Sequence, residues 1–558
     1  MTVKRMRYIF KYNYWKQKVS DRELLEELNN LDDFQIEDAF YRDLAFGTGG
    51  LRGILGVGTN RMNIYVVAKA SQGLANYINK HYDNPSIAIG YDTRIKSDVF
   101  SKVAAEVFSQ NEIKVNIYSE ALPVPTLSYA TRKLGCSAGV MITASHNPSK
   151  YNGYKVYGND GCQITTEVAK EILEEINKID EFKVIRKPFE NNELISFIDN
   201  SVLDSFIEEV KNQSFLYGEQ INKDINVVYT PLNGTGFKPV TRVLRELGYN
   251  NIITVKEQES PDGNFPTCPY PNPEIKEALT LGVKYAKENN ADILIATDPD
   301  SDRVGVAVKD KDDFTILSGN DIGVLLFNYI CEQKSKHNKM PSNPVLIKSI
   351  VTTDLADKIA DKYEIKTINV LTGYKFIGEQ IGILEKQNRL DDFIFSFEES
   401  DGYLSGSYVR DKDGVNGACL VCEMYAYYKT RNITLQDKLE EIYKEFGYYT
   451  TSLESYEFPG SNGFEKMQSI MKSLREKPLT GIAGYKIIKQ LDYLQGIDNL
   501  PKSDVIKYYF ENGSLVIRPS GTEPKLKAYV LTIGFDCKES KEKINTVIKN
   551  IDIKVNGI

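Results

Sequence analysis

Short β-branched runs alternate with longer amphipathic stretches along most of this chain, and the alternation restarts, which commits it to α/β units in series. Ser86-Ile87-Ala88-Ile89-Gly90-Tyr91 reads as a strand, Val99 to Phe108 as the helix after it, and Ala138-Gly139-Val140-Met141-Ile142 as another strand. The pattern begins again at Ile225-Asn226-Val227-Val228-Tyr229 and at Pro344-Val345-Leu346-Ile347, with no residue-level repeat. At 558 residues the chain has room for three or four domains of roughly 150 residues. Breaks are expected in the polar stretch Tyr217 to Asp224 after a helix at Ser201–Gln213, near Gly319, and near Phe446-Gly447. This predicts units at 1–215, 216–319, 320–446 and 447–558.

The net charge of −8 provides no overall basic field for nucleic acid or an anionic membrane. A site for an anionic substrate must therefore be locally basic. No apolar run approaches the roughly 18 residues that cross a bilayer, and Lys11, Asn13 and Lys16 interrupt the place of a secretory apolar core. Seven cysteines, odd in number and mostly isolated, suit reduced thiols in the cytoplasm. Cys419 and Cys422 lack the second pair of a four-thiolate zinc site and read as two small apolar residues on one helix face. With three histidines, of which only His146 has a suggestive context, a histidine-rich metal centre is excluded.

Four loops carry chemistry. Thr143-Ala144-Ser145-His146-Asn147-Pro148 follows an apolar strand, where ligands sit in open α/β sheets. Asn152-Gly153 is a two-residue hairpin signal that would fold Lys155 back toward Ser145. A serine beside an ammonium suits a nucleophile or phosphoryl carrier; a polar connecting loop would look the same. In Thr297-Asp298-Pro299-Asp300-Ser301-Asp302-Arg303, three alternate aspartates can turn toward one point and cage a hard cation such as Mg2+. Arg303 and Lys309 occupy the places where a calcium-binding EF-hand needs glycine and glutamate, so the choice is between a metal cage and a solvated acidic turn.

Phe397-Glu398-Glu399-Ser400-Asp401-Gly402-Tyr403 suits hydrogen bonds from vicinal sugar hydroxyls, or simply a turn. Arg518-Pro519-Ser520-Gly521-Thr522-Glu523-Pro524-Lys525, between two strand-like runs, is either a phosphate cradle or a basic hairpin tip. Earlier, Phe46-Gly47-Thr48-Gly49-Gly50-Leu51-Arg52-Gly53 breaks the dinucleotide fingerprint at Arg52 and better suits presentation of Arg52 to an anion.

Taken together and in this order, the loops resemble the α-D-phosphohexomutase family, which includes phosphoglucomutases and phosphomannomutases. The resemblance runs from about Phe46 to the C-terminus. TASHNP…NGYK, DPDSDR and RPSGTEPK carry it most specifically, while TGYKFIG and FEESDGY point to its phosphoglucomutase-2 and phosphopentomutase branch. It implies an α/β, four-domain, heart-shaped molecule: three related α/β domains and a smaller α+β C-terminal domain.

The resemblance also implies roles. Ser145 matches the phosphorylated serine, and Asp298, Asp300 and Asp302 match Mg2+ ligands, with an oxygen on Ser145 completing the set. Lys155, Arg52 and Arg303 fall in the catalytic region, Lys155 being the candidate proton-transfer partner and His146 a residue that shapes the loop. Thr372, Gly373, Lys375, Glu398 and Ser400 match sugar-binding positions, and Arg518, Ser520, Gly521 and Thr522 the distal phosphate loop. The expected reaction interconverts glucose 1-phosphate and glucose 6-phosphate through phospho-Ser145 and an enzyme-bound 1,6-bisphosphate, which also serves as activator. A phosphopentomutase or phosphomannomutase of the same mechanism is the alternative, and the expected partner is a phosphosugar.

Overall fold

The computed structural model describes residues 3–556 apart from 48, 312, 459–462, 498–499 and 521–524. The chain forms two compact units, one of residues up to 319 with 374–395 and 400–426, the other of 320–373, 396–399 and 427 onward.

The first unit begins with the helices Val3–Lys18, Arg22–Asn30 and Asp33–Phe40. With Val57, Tyr65 and Phe182 from further along the chain they enclose a small core around Trp15, Leu28 and Phe40. The second and third start on aspartate caps, Asp21 accepting from Leu24 N and Asp32 forming a capping box with Gln35, which satisfies backbone donors that the helix leaves open.

The first sheet follows: β1 (Gly50–Ile54), β2 (Ser86–Tyr91), β3 (Lys114–Ile117), β4 (Ala138–Ile142), β5 (Tyr151–Gly158) and β6 (Ile195–Phe197) in the order β1-β5-β4-β2-β3-β6. The strands at 86–91 and 138–142 coincide with the apolar runs in the sequence, and the intervening helix is Ser97–Gln110. The second sheet comprises β7 (Val227–Thr230), β8 (Ile252–Thr254), β9 (Ile293–Thr297), β10 (Val304–Asp310) and β11 (Asp313–Leu317), ordered β11-β10-β9-β7-β8.

The two sheets share a plan. In each, parallel strands are followed by one that runs back antiparallel, β4 to β5 and β9 to β10. The serine loop is the first reversal and the aspartate loop the second, so both lie at the same topological position.

Asn152-Gly153 does not form the hairpin turn: both residues lie inside β5, and the chain reverses over 143–150. Glycine is required at 153 for packing, because a Cβ there would come 2.5 Å from Thr143 O and 2.7 Å from Leu51 O. Asn152 is buried and donates to Ile95 O and Ser97 Oγ. Lys155 still reaches the serine side of the sheet, because it is paired with Met141 across the β4–β5 ladder.

In the second unit, β12 (Val345–Ser349) and β13 (Lys366–Val370) pair in parallel. Its C-terminal part is an antiparallel sheet bounded by Tyr448–Glu457 and Gly481–Ile482, with the strands Gly513–Pro519 and Lys525–Gly534 forming its central hairpin. The helices Gly463–Glu476 and Cys537–Asn556 pack on it, giving the smaller α+β module expected. Cys419 and Cys422 are buried in the helix Gly414–Lys429 of the first unit, and among the described residues no helix is long and apolar enough to cross a membrane.

Gly153→Ala is expected to cost about 1–3 kcal/mol, the usual range for overpacking against structure that yields poorly. A lowered denaturant midpoint checks it, and an unchanged midpoint would contradict the close backbone approach.

Candidate active site

The aspartate loop curls because Asp298 caps it. Asp298 Oδ1 accepts from the backbone N–H groups of Asp302 and Arg303 at 3.1 Å each, and Ser301 takes a left-handed φ of +50°. Alternate residues that would splay along a strand are thereby brought together, and Asp298, Asp300 and Asp302 each offer an oxygen within 4.8 Å of the others. All three are buried.

The charges around them are unequal. Burial, and then the charges of Asp300 and Asp302, push the Asp298 carboxyl well above its ordinary range. Burial also raises Asp302, but Lys412, Lys155 and Arg303 outweigh it and hold that group below the usual carboxylate range. Lys155 Nζ lies 2.9 Å from Asp300 Oδ2 and 3.5 Å from Asp302 Oδ2, and Lys412 Nζ lies 3.0 Å from Asp302 Oδ2. Burial disfavours the Lys155 ammonium, yet the two aspartates more than offset it and raise its pKa. Arg303 pairs with Glu274 and keeps its Nε 3.8 Å from Asp302 Oδ1.

Ser145 faces this cluster and donates from Oγ to Asp298 Oδ2 at 2.8 Å. Its φ of +52° is unusual for a serine. Two contacts hold it there: Ser145 N donates to Thr143 Oγ1 at 2.8 Å, and the Arg94 guanidinium donates to the carbonyls of Ser145, Asn147, Pro148 and Tyr151. Arg94 pairs in turn with Asp92 at 3.2 Å, both side chains fully buried. Thr143 Oγ1 donates to Asp92 or to Asp300, its oxygen lying 2.6 and 3.0 Å from them. Arg52, exposed on β1, donates to Asn147 Oδ1 at 3.1 Å. His146 Nδ1 lies 3.2 Å from Ser145 Oγ, and burial followed by Arg303 and Arg52 pushes its imidazole well below the ordinary pKa, leaving it neutral.

The donor set suits a small divalent cation. It consists of hard carboxylate oxygens with a serine hydroxyl adjacent, and Asp300 Oδ1 and Asp302 Oδ1 are buried without a hydrogen-bond partner.

The remaining expected residues divide between the units. Lys375 and Ser400 belong to the first, where burial pulls the Lys375 ammonium down to about 8. In the second, Gly373 N donates to Glu398 Oε1 at 2.9 Å, and the Thr372 hydroxyl is buried without a hydrogen-bond partner. Arg518 rests against the Tyr529 hydroxyl at 3.2 Å. Ser520 N donates to Lys525 O at 2.7 Å and closes the base of its loop; Gly521 and Thr522 lie outside the described residues.

The sequence of the chain matches four parts of one family description, phosphoglucomutase/phosphomannomutase: alpha/beta/alpha domain I over residues 43–183, domain II over 204–311, domain III over 318–446, and the C-terminal domain over 471–531. The chain belongs to this family. A Staphylococcus saprophyticus protein named Phosphoglucomutase is 38% identical over 87% of this chain and 90% of its own length. One from Staphylococcus aureus with the same name is 36% identical over 96% and 98%. The open form of pp63/parafusin from Paramecium superposes with a TM-score of 0.68 at 18% identity, covering 92% of this chain and 96% of that one. That last likeness concerns the fold.

Two buried residues that contact the serine and aspartate loops were missed from sequence. Arg94 follows β2 in Asp92-Thr93-Arg94, and a charged residue at a parallel strand end was the available signal. Lys412 lies in Arg410-Asp411-Lys412-Asp413, which reads as a solvated charge run, yet all four residues are buried.

A divalent cation in hundredfold excess over its Kd adds about 2.7 kcal/mol of stability by linkage. Asp300→Asn is expected to lose most of the resulting rise in unfolding temperature, measured calorimetrically with and without Mg2+. A full rise in the variant would contradict the carboxylate site.

Proposed function

We propose that this chain is an intramolecular phosphotransferase that interconverts α-D-glucose 1-phosphate and glucose 6-phosphate through phospho-Ser145. The observation that carries this reading is the placement of Ser145 Oγ 2.8 Å from the first of three buried aspartates that two lysines flank. The phosphoglucomutase name of relatives 36–38% identical supports it.

Asp298, Asp300 and Asp302 would hold Mg2+, with an oxygen on Ser145 beside them. When bound, the ion neutralises phosphoryl oxygens and orients them for in-line transfer.

The protein's own groups do the rest. The Oγ–P bond of phospho-Ser145 breaks as a new O–P bond forms to the free sugar hydroxyl, and the hydroxyl proton ends on Ser145 Oγ. Lys155 is the proposed carrier of that proton. Standing charged on Asp300 and Asp302, it gives its proton to Oγ as that oxygen leaves and takes up the proton of the attacking sugar hydroxyl; in the return step it takes the Ser145 proton and protonates the sugar oxygen that is released. Arg52 and Arg303 supply positive charge for the phosphoryl group; a guanidinium is too basic to accept the proton. Neutral His146 holds the serine hydroxyl from its other side. In the first unit, Lys375 and Ser400 are proposed to bind substrate. In the second, Thr372, Gly373 and Glu398 take that role, with Arg518, Ser520, Gly521 and Thr522 receiving the non-reacting phosphate. Because the bisphosphate returns its other phosphate to Ser145, this cradle accepts two sugar orientations.

The test is isomerisation of glucose 1-phosphate in the presence of Mg2+ and catalytic glucose 1,6-bisphosphate, with mannose 1-phosphate and ribose 1-phosphate compared. Release of free phosphate without isomer would replace the mutase reading with a phosphatase. Ser145→Ala is expected to reduce turnover to background while keeping the fold. Intact-protein mass should show one added phosphate on the wild type after glucose 1,6-bisphosphate and none on the variant. Arg518→Ala should raise KM far more than it lowers kcat, the pattern for loss of a binding contact made equally in ground and transition states; an unchanged KM would remove Arg518 from the phosphate site.

A further inference from the structure

Lys375 is the second residue of the helix Tyr374–Lys386, and that helix is held at its start by Cys162, in the turn after β5, and at its end by Arg410 and by Arg132, which itself reaches that turn. At its start, Cys162 Sγ donates to Lys375 O at 3.3 Å. One turn later, Gly378 lies so close that a Cβ would stand 2.5 Å from both Cys162 Sγ and Arg410 O. At its end, Glu385 accepts from Arg132 Nη2 at 2.8 Å and meets Arg410 Nη2 at 3.1 Å. Arg132 also donates to Asp160 O at 2.8 Å, inside the same turn.

The chemistry makes both fastenings firm. Burial pushes the Cys162 thiol well above its ordinary pKa, so it stays a protonated donor. The Arg410 side chain is fully buried, and a guanidinium withdrawn from water needs a carboxylate beside it; Glu385 is its ion-pair partner. A helix freed at one end can slide or roll, and one residue step is about 1.5 Å and 100°, enough to aim the Lys375 ammonium elsewhere.

We infer that Cys162 and Glu385 are positioning residues that set where the Lys375 ammonium stands to meet a sugar phosphate. This rests on the substrate-binding role proposed for Lys375. The lysine provides a gauge of its own position: burial lowers it to about 8, while Glu379 acts in the opposite direction, so an ammonium released toward water titrates higher.

The test compares the wild type with Cys162→Ala, Cys162→Ser and Glu385→Gln in two measurements. One is KM and kcat for glucose 1-phosphate; the other is the pH midpoint of Lys375 acetylation, read by competitive labelling and mass spectrometry. Cys162→Ala and Glu385→Gln are expected to raise KM by about tenfold with kcat within about twofold, and to move the labelling midpoint upward from about 8. Cys162→Ser, which keeps a donor, should restore both. If Glu385→Gln fails to fold because Arg410 is left unpaired, Cys162→Ala and its serine rescue decide the matter. An unmoved KM and midpoint in folded Cys162→Ala, or an equal loss of activity in the alanine and serine variants, would overturn the inference. A wild type that does not isomerise glucose 1-phosphate would remove the proposed function, while the labelling midpoints would still report on the fastening.

Discussion

Three carboxylates withdrawn from water within five residues are the constraint around which the first unit is organised. A buried ion costs several kcal/mol unless its charge is met, and the groups that meet it come from distant parts of the chain. Lys155 arrives on β5, Lys412 on the segment before the helix Gly414–Lys429, and Ser145 and Thr143 on the loop after β4. Val124 N adds a bond to Asp300 O at 2.9 Å. The aspartate loop is thus where the two sheets of that unit are joined, and any variant that disturbs its charge balance disturbs both. Compensation stops short of completion, since two carboxylate oxygens keep no hydrogen-bond partner, so the cluster is not a finished salt-bridge network and has lone pairs that could bind a cation.

Ser145 illustrates how the polypeptide sustains an unfavourable conformation for a purpose. A non-glycine residue in the left-handed region carries a backbone penalty, which persists where the surroundings over-determine it. Arg94 supplies that excess by binding three carbonyls of the serine loop and that of Tyr151 at the start of β5, and its own charge is satisfied by Asp92. The direction of the Ser145 hydroxyl is therefore set from behind, by Arg94 and Thr143.

What was legible in the sequence was whatever chemistry is local. The serine loop and the three aspartates sit in contiguous runs after apolar strands, and the structure brings Ser145 to Asp298 and the three carboxylates together. Lys412 and Arg94 were not, because their meaning depends on partners more than 50 residues away. A run of alternating charges looks solvated until tertiary contacts bury it. The hairpin expected at Asn152-Gly153 failed for a related reason: turn propensity is a local property, whereas the glycine answers to Leu51 and Thr143 on neighbouring segments. The three N-terminal helices were not legible either, because Trp15 and its neighbours are completed as a core by Val57, Tyr65 and Phe182 from distant parts of the chain.

The ladder that brings Lys155 to the aspartates has a parity. Tyr154 and Val156, on either side of it, belong to the core of the first sheet, so consecutive residues of β5 serve opposite faces. The reversal over 143–150 can therefore change many of its residues but not its length. A single insertion there, absorbed by a one-step slip of β5 against β4, would turn a tyrosine or a valine toward the carboxylates and drive an ammonium into the apolar interior.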